Sequence, residues 1–258
     1  MIFADAGLAR RIEGAEAAIA RGCAANQPGA ACLESGGGIA LFLGPESPLT
    51  QALGMGLSGP VTASELDGIE TFLRSRGARV SIDLCPLADS GLLDLLAERG
   101  YRPVEFNNVL VKPLAGAEIT FTPQARRAVA GEEELWAHTA GHGFFEQAEL
   151  TSEEMDVGRA IFAMPGAFCY LAVTESGEAA GAAALAANSG LATLFADSVI
   201  ARFRRRGLHR GLIAARLNEA LALACDLATA STQPGSASQR NFERAGFRVI
   251  YTKVTLVR

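Results

Sequence analysis

The chain has 258 residues, of which 49% are apolar and 20% are charged, and its formal net charge is −5. This length and composition allow one or two domains with a sizeable core, and they exclude a disordered or fibrous chain. The excess of acidic over basic residues argues against a general binder of nucleic acids or anionic membranes.

No segment of the sequence has the features of a membrane span or a signal peptide. The most apolar runs, such as 39–43 and 221–225, fall far short of the roughly 18–20 residues that a membrane helix needs. The N-terminus becomes charged within its first residues instead of forming an apolar stretch. The five cysteines are widely spaced and form no Cys-x-x-Cys pair, so we expect buried thiols in a reducing cytoplasm, without disulfides or metal.

Hydrophobic periodicity and turn residues predict alternating helices and strands in the first half. The clearest helix has Thr62 and Glu65 as a capping box at its start and Gly77 at its end. A Pro- and Gly-rich passage at 45–60 interrupts the pattern. The predicted elements are helix 7–23, strands 31–34 and 39–43, helix 62–77, strand 80–84, helix 91–99 and strand 104–111.

The second half is predicted to contain the same kinds of element, with a hairpin through 175–177 and a long helix after a basic loop. Thr151 with Glu154, and Ser236 with Gln239, have the spacing of helix caps. Helices inserted among strands and hairpins indicate a mixed α/β (α+β) fold. In chain order the predicted elements are a strand start at 118–121, helix 132–139, loop 142–150, helix 151–162, strands 168–174, 180–187 and 191–199, a helix ending near 224, strand 227–231, a helix from 236 and strand 247–257.

Two short matches indicate that the chain is a tandem duplication. Gly-Tyr-Arg at 100–102 corresponds to Gly-Phe-Arg at 246–248, and Leu-Val-Lys at 110–112 corresponds to Leu-Val-Arg at 256–258. Both pairs have the same offset of 146 residues, which favours duplication over coincidence. The two predicted domains are 1–114 and 115–258.

The most informative segment is the basic loop between the strand at 191–199 and the long helix after it. Successive backbone N–H groups in such a loop turn toward one point, and the helix N-terminus adds about half a positive charge. Gly207 permits a close approach to the backbone, because it has no Cβ. The loop therefore predicts a site for a pyrophosphate group. The arginines that could surround such an anion are Arg202, Arg204, Arg205, Arg206 and Arg210.

This loop resembles the pyrophosphate loop of the GNAT superfamily of acyl-CoA-dependent N-acyltransferases. The family pattern is (Gln/Arg)-x-x-Gly-x-(Gly/Ala), and Arg204 and Gly207 fit its first two marked positions. Val199 occupies the usual strand position, whereas Ala201 replaces a proline and His209 replaces the small third residue. Neither replacement removes a backbone N–H group, so the phosphate cradle is expected to persist.

A second segment extends the resemblance. The sequence at 234–247 looks like the GNAT helix that ends in Gly-Phe, so the similarity covers about 119–258. The first half keeps a matching segment at 98–102, but its helix entry at 59–64 has no arginine and the wrong glycine spacing. The resemblance thus implies two tandem GNAT-like domains, each a mixed, mostly antiparallel twisted sheet flanked by helices. The first would be a degenerate copy without a cofactor loop.

The resemblance also implies a reaction and a set of cofactor-binding residues. Family members transfer an acetyl group from acetyl-CoA to a primary amine by direct attack. The pantetheine arm is expected along the strand backbone and the pyrophosphate at the loop, where His209 is expected to act through its backbone more than its ring. The residues expected at the cofactor are Asp197, Ser198, Val199, Arg204, Arg205, Arg206, Gly207, Leu208, His209, Arg210 and Asn241.

Proton transfer is where the sequence departs from the family. Many relatives have a tyrosine that protonates the leaving thiolate, and the matching residue here is Phe242. The catalytic acid and base are therefore unassigned. The candidates are Tyr251, Ser236 or a bound water for the acid, and Glu146 and Glu149 for the base. In the family the loop between the first helices borders the acceptor, which implies an acceptor pocket containing His142, Phe144, Phe145 and Glu146.

Three other interpretations compete with an acetyltransferase. A nucleic-acid patch at the basic loop is disfavoured by the net charge and by sparse aromatic residues. His138, His142 and Glu146 have the spacing of a metal-binding helix face, but Gly141 and Gly143 are expected to interrupt that helix, so no metal is predicted. A non-catalytic acyl-CoA-binding sensor or scaffold is the main alternative. The expected partner is a small-molecule or peptide amine, with neither nucleic acid nor membrane, and the oligomeric state is left open.

Overall fold

The structure is a computed structural model that describes residues 2–119, 125–146 and 149–258. It divides into two compact units, of which unit 1 is Met1–Val109 with Ile250–Arg258 and unit 2 is Leu110–Val249. The helices and strands, in chain order, are α1 (Ala6–Ala25), β1 (Ala31–Ser35), β2 (Gly38–Phe42), β3 (Gln51–Leu53), α2 (Ala63–Arg74), β4 (Ser81–Leu84), α3 (Ser90–Glu98), β5 (Arg102–Pro113), β6 (Ala125–Arg127), α4 (Glu133–Phe145), α5 (Ser152–Phe162), β7 (Ala167–Val173), β8 (Ala179–Asn188), β9 (Leu191–Val199), α6 (Leu208–Ala222), β10 (Leu227–Thr232), α7 (Ala237–Arg244) and β11 (Arg248–Val257).

Unit 1 contains strands in the order β1-β2-β3-β4-β11, which are antiparallel except for the parallel pair β3 and β4. The end of β11 pairs with β4, with Val254 opposite Leu84. Because of this pairing the segment Ile250–Arg258 completes unit 1, whereas the sequence placed all of 115–258 in the second domain. Strand β3 was not predicted, because it is short and lies within the Pro- and Gly-rich passage.

The helices of unit 1 follow local sequence signals closely. Helix α2 begins with the predicted capping box, in which Thr62 and Glu65 each accept a hydrogen bond from the other's backbone N–H group. Its end is closed by a hydrogen bond from the Ala78 N–H group to the Leu73 carbonyl at 3.1 Å, with Gly77 at a φ of +76°. Helices α2 and α3 pack on one apolar core, to which they contribute the fully buried side chains of Leu66, Ile69, Leu73, Leu92 and Leu96.

Unit 1 also buries a charged cluster around Lys253 of β11. The Lys253 ammonium lies 2.7 Å from the Asp83 carboxylate and 3.5 Å from that of Glu13, and it also pairs with Glu16. The Tyr251 hydroxyl donates a hydrogen bond of 2.9 Å to Glu13. Burial raises the pKa of Glu13 to about 8, although the nearby Lys253 charge opposes this. The carboxylates of Glu13, Glu16 and Asp83 lie close enough together to bind a metal ion, but the Lys253 ammonium already pairs with them.

Unit 2 contains strands in the order β10-β9-β8-β7-β6, which are antiparallel except for the parallel pair β9 and β10. Helix α6 packs on the sheet through Leu208 and Leu212 in one apolar cluster and through Ile213 and Leu217 in another. Trp136 anchors helix α4, because its ring is fully buried and its N–H group donates to the Tyr170 carbonyl. The capping box of Thr151 and Glu154 at the start of α5 is confirmed.

Helix α4 is longer than the sequence predicted. It runs to Phe145, so Gly141 and Gly143 do not interrupt it, and the predicted loop at 142–150 begins as helix. These glycines instead allow close packing, since a Cβ on Gly143 would lie 2.5 Å from the Ser198 side chain. The predicted strand start at 118–121 lies partly outside the described residues, and its described part is not a strand.

Two predictions about composition can be compared with the structure. No helix among the described residues is long and apolar enough to cross a membrane. The five cysteines are free thiols, but Cys32 is exposed, contrary to the expectation that all five are buried. Strand β1 lies at an edge of the sheet and alternates between exposed and half-buried residues, which places this side chain in solvent.

Candidate functional site

Strand β9 has an irregular end that leaves backbone groups available. Its parallel pairing with β10 extends only to Leu194, opposite Ala230, so the segment 195–199 has no strand on that edge among the described residues. On its other edge the register with β8 shifts, and Ala196 adopts a φ of +55°. Such a bulge leaves an extra residue unpaired, and beyond it Ser198 and Val199 pair with Ala182 and Gly181 of β8. An extended ligand could pair with this free edge as an added strand.

The N-terminus of α6 is an open cluster of backbone amides. Gly207 caps the helix with a φ of +81° and makes no side-chain capping hydrogen bond, and Arg205 has a φ of +66°. No protein atom lies within 4 Å of the point where a Cβ on Gly207 would sit. Glycine is thus required by the backbone conformation, and the space beside it is open to a ligand. The unsatisfied N–H groups of the first turn and the helix dipole favour an anion here.

A cavity of about 760 Å³ joins the end of β9, this loop and the start of α7. All but one of the residues predicted to bind the cofactor line it. The exception is Arg206, whose guanidinium turns toward the Arg202 carbonyl and the Phe203 ring. The predicted residues at the cavity are Asp197, Ser198, Val199, Arg204, Arg205, Gly207, Leu208, His209, Arg210 and Asn241.

The three predicted arginines at this cavity fall into two groups, and Arg240 and Arg244 of α7 line it as well. Arg205 and Arg210 have no hydrogen bond or ion pair to any described residue. Arg204 is already engaged, because it donates to the carbonyls of Val199 at 3.0 Å and Gly143 at 3.1 Å, and its guanidinium lies 2.6 Å from the Glu146 carboxylate. Arg204 therefore braces the loop against the end of α4, and the two unpaired arginines are better placed to receive phosphate charge.

A buried polar network lies beneath the cavity and was missed by the sequence analysis. Arg216 of α6 is fully buried and binds Asp197 through two hydrogen bonds, and it also donates to the Ala184 carbonyl. His209 Nε2 lies 3.0 Å from Asp197 Oδ1, the oxygen that Arg216 Nη2 also contacts, and Asn241 Nδ2 lies 2.9 Å from His209 Nδ1. The sequence signal for this network was Arg216, which lies four residues after Leu212 and therefore on the buried face of α6.

This network changes the roles of two predicted residues. Burial alone would raise the pKa of Asp197, but the charge of Arg216 and the hydrogen bond from His209 outweigh it and lower the pKa. Asp197 is therefore an ionised anchor that ties the end of β9 to α6, in addition to its backbone position. His209 contributes its ring, which links the strand to α7 through Asn241, contrary to the expectation that its backbone matters more.

The candidate catalytic acids have other partners. Ser236 caps α7, where its hydroxyl accepts a hydrogen bond of 3.0 Å from the Gln239 N–H group. Tyr251 lies in unit 1, with its hydroxyl on a buried carboxylate. Neither lines the cavity. Phe242 is buried, with its ring 5.0 Å from that of Phe247 and 5.7 Å from that of His209.

A second cavity, of about 520 Å³, lies beside helix α4. Of the four predicted acceptor residues, His142 and Glu146 line it, whereas the exposed Phe144 and half-buried Phe145 do not. His138 lines it too, and its Nε2 atom lies 3.1 Å from that of His142. The candidate base Glu149 is exposed. The ion pair between Glu146 and Arg204 joins the two cavities, because each partner lines one of them.

Comparison with solved structures shows that known proteins share the fold of this chain. No protein-family model matches the chain, and no curated protein matches it. Among solved structures, a GCN5-related N-acetyltransferase from Kribbella flavida is similar over 96% of this chain and 95% of its own, with a TM-score of 0.70 and 20% identity. A tandem GNAT protein from the clavulanic acid biosynthesis pathway is similar over 93% and 87%, with a TM-score of 0.61 and 14% identity. A GCN5-related N-acetyltransferase from Sphaerobacter thermophilus is similar over 89% and 75%, with a TM-score of 0.59 and 17% identity. The chain therefore has the tandem GNAT fold, as the sequence resemblance implied.

Proposed function

We propose that unit 2 binds an acyl-CoA, with acetyl-CoA as the expected donor, and transfers the acyl group to a primary amine of a small molecule or peptide. The observation that carries this proposal is the uncapped N-terminus of α6, which opens into a cavity beside two unpaired arginines, Arg205 and Arg210. A diphosphate needs this combination of converging amides and nearby positive charge.

The rest of the cavity fits the other parts of an acyl-CoA. The free edge of β9 at 195–199 offers backbone groups to the amides of a pantetheine arm. The Ser198 side chain packs against Gly143 of α4, so the strand would contribute its backbone, and not the buried Ser198 hydroxyl, to this contact.

The residues of this chain contribute to the reaction mainly by positioning. The acyl-CoA supplies an activated thioester carbonyl when it is bound. Backbone amides at the bulge of β9 could polarise that carbonyl and stabilise the oxyanion that forms on attack. The ion pair of Asp197 and Arg216 fixes this bulge. A thiol pKa near 8.5 lets the thiolate leave with little assistance at neutral pH, so the phenylalanine at position 242 is compatible with turnover.

Unit 1 is proposed to be a copy without a cofactor. The corresponding helix, α2, has its first amides satisfied by its own capping box, and no arginine precedes it at 59–62. We therefore propose that only unit 2 binds an acyl-CoA, which gives one site per chain.

The direct test is release of CoA thiol from acetyl-CoA in the presence of a panel of primary amines. The panel includes amino acids, polyamines, aminoglycosides and a lysine peptide. We expect amine-dependent thiol release with the wild-type chain and loss of release in an Arg205→Gln/Arg210→Gln variant. Absence of both CoA binding and thiol release would contradict the proposal.

A second candidate is a non-catalytic acyl-CoA sensor or scaffold. The buried ring of Phe242, at the position of the usual proton donor, favours it. The two candidates differ in one result, because a sensor would bind acetyl-CoA without releasing thiol to any amine.

A further inference from the structure

Helix α4 presents two histidines to the second cavity. His138 and His142 are one turn apart, with their ring centroids 4.2 Å apart and their Nε2 atoms within hydrogen-bond distance at 3.1 Å. The remaining histidine of the chain, His209, belongs to the network under the first cavity. His138 and His142 are therefore the histidines that a molecule bound in the second cavity can contact.

The geometry of the pair suits a group that takes up one proton. Two imidazole nitrogens at this distance can share a single proton, since one acts as donor and the other as acceptor. A second proton would place two positive charges in contact, which is unfavourable. Desolvation of its ring, together with the charge of His142, lowers the pKa of His138. His138 is consequently able to accept a proton at neutral pH.

The charged groups around the pair are already neutralised. Strands β7 and β8, which pack against α4, carry no charged residue. Of the described carboxylates, Glu146 and Glu178 line the cavity with the pair, and each has an arginine partner, Arg204 and Arg202 respectively. On the elements packed against α4, Asp156 of α5 pairs with Arg159 and Asp197 of β9 pairs with Arg216. Within α4 and α5, Glu134 also pairs with Arg159, whereas Glu133 and Glu154 accept hydrogen bonds from backbone N–H groups. Because Glu146 is engaged by Arg204, the histidines are the more available proton acceptors in this cavity.

The position of the pair connects it to the donor site. Glu146 lines the same cavity as the histidines, and its ion pair with Arg204 reaches the cavity proposed for the acyl-CoA. An amine in the second cavity would therefore be beside both the histidines and the ion pair that borders the acyl-CoA cavity. His138 is exposed, so a proton taken up by the pair can pass to water.

We infer that His138 and His142 form the general base for the acceptor amine, an inference that rests on the proposed acyl transfer. The amine nitrogen attacks the thioester carbonyl carbon, and the C–N bond forms as the C–S bond breaks with its electron pair passing to sulfur. The nitrogen becomes acidic as it bonds to carbon, and its proton goes to an imidazole nitrogen of the pair. This role differs from the sequence expectation, which placed His142 in the pocket wall and proposed carboxylates as bases.

The first part of the test measures the pair without turnover. An NMR titration should give His138 a pKa below the ordinary value near 6.5. In His142→Gln the pKa of His138 should move back toward that value, because the neighbouring charge is removed. A His138 pKa that is the same in the variant and in the wild-type chain would overturn the inference.

The second part measures the reaction. In His138→Gln and His142→Gln we expect kcat/KM at pH 7 to fall at least about 10-fold, with recovery at high pH where the free amine is abundant. The Kd for CoA should stay the same, and Leu135→Met serves as a conservative control in the same cavity. An unchanged pH profile in both variants would contradict the inference alone. A wild-type chain that binds CoA but transfers nothing to any amine would contradict the proposed function and this inference with it.

Discussion

Helices α2 and α6 have the same place in the topology of their units, and their N-termini differ in every property that matters for binding an anion. Each helix follows a strand that pairs in parallel with the next strand of its sheet. In α2, the Glu65 carboxylate accepts hydrogen bonds from the N–H group and the hydroxyl of Thr62, both at 2.8 Å. In α6, Gly207 leaves the first amides without a side-chain cap. A carboxylate of the chain thus occupies the place in α2 that a phosphate could occupy in α6.

The loops before these helices repeat the contrast. In unit 1, Met55 and Leu57 are buried, and a Cβ on Gly56 would lie 3.2 Å from Leu92. In unit 2 the loop is basic, and its two left-handed residues face a cavity. The same topology can therefore place either a packed loop or a binding site before the helix, and a few side chains determine which of the two forms.

The largest expected effect comes from removing the unpaired charge in unit 2. Arg205→Gln/Arg210→Gln should weaken CoA binding by at least about 100-fold, since hydrogen bonds to charged groups are each worth roughly 1.5–3 kcal/mol. The measurement is calorimetric titration with CoA. Arg79→Gln/Arg102→Gln is the matched control, because both arginines are exposed in unit 1. Equal loss of affinity in this control would show a general charge effect and would break the contrast between the units.

The buried charges of unit 1 should make its stability depend on pH. The pKa of Glu13 is about 8 in the fold and 4.5 when unperturbed, so the folded chain binds an extra proton between these values. This contribution is fully present below pH 4.5 and is lost as pH rises through 8, which should cost on the order of 5 kcal/mol.

Glu13→Gln tests this dependence, since the amide oxygen can still accept the hydrogen bond from Tyr251. Urea unfolding at pH 5 and pH 8 should show a smaller difference in the free energy of unfolding than in the wild-type chain. An equal difference in both proteins would rule out Glu13 as the cause.

A third prediction separates backbone strain from ligand contact at the loop. Gly207→Ala should reduce CoA affinity about 10-fold and cost about 1 kcal/mol of stability, because an L-residue is strained at a φ of +81°. Gly177→Ala carries the same strain at a φ of +83° in the β7–β8 turn, away from the cavity. Both variants should lose similar stability, whereas only the first should lose affinity. Loss of affinity in both would mean that destabilisation, and not the cradle, explains the effect.

The smallest expected effect comes from uncapping α2. Glu65→Ala removes the carboxylate from the helix N-terminus and should lower the free energy of unfolding by about 1 kcal/mol. It should create no second CoA site, because no arginine lies in the preceding loop. Calorimetric stoichiometry would check this. A stoichiometry of two would mean that the cap alone excludes the cofactor from unit 1.

Local signals made much of this structure predictable. The caps at Thr62 and Thr151, and strand β9 with its exact bounds of Leu191–Val199, depend on neighbouring residues and were predicted from them. Most of the residues expected at the cofactor line one cavity for the same reason, since the loop holds them in sequence. The pairing of Asp197 with Arg216 joins residues on different elements, and sequence periodicity carries no record of such a contact.

The length of α4 was mispredicted for a related reason. Gly141 and Gly143 weaken a helix locally, but close packing compensates where Gly143 meets Ser198. Arg204 likewise looked like a phosphate ligand in the sequence, and only the fold brings the Gly143 carbonyl and Glu146 to its guanidinium.

A crystal structure of the chain with bound CoA would test the central claim most directly. We expect one CoA per chain, with its diphosphate within hydrogen-bond distance of backbone amides between Arg205 and Arg210. We expect no CoA density at the N-terminus of α2. A diphosphate bound away from that loop, or at α2 as well, would contradict it.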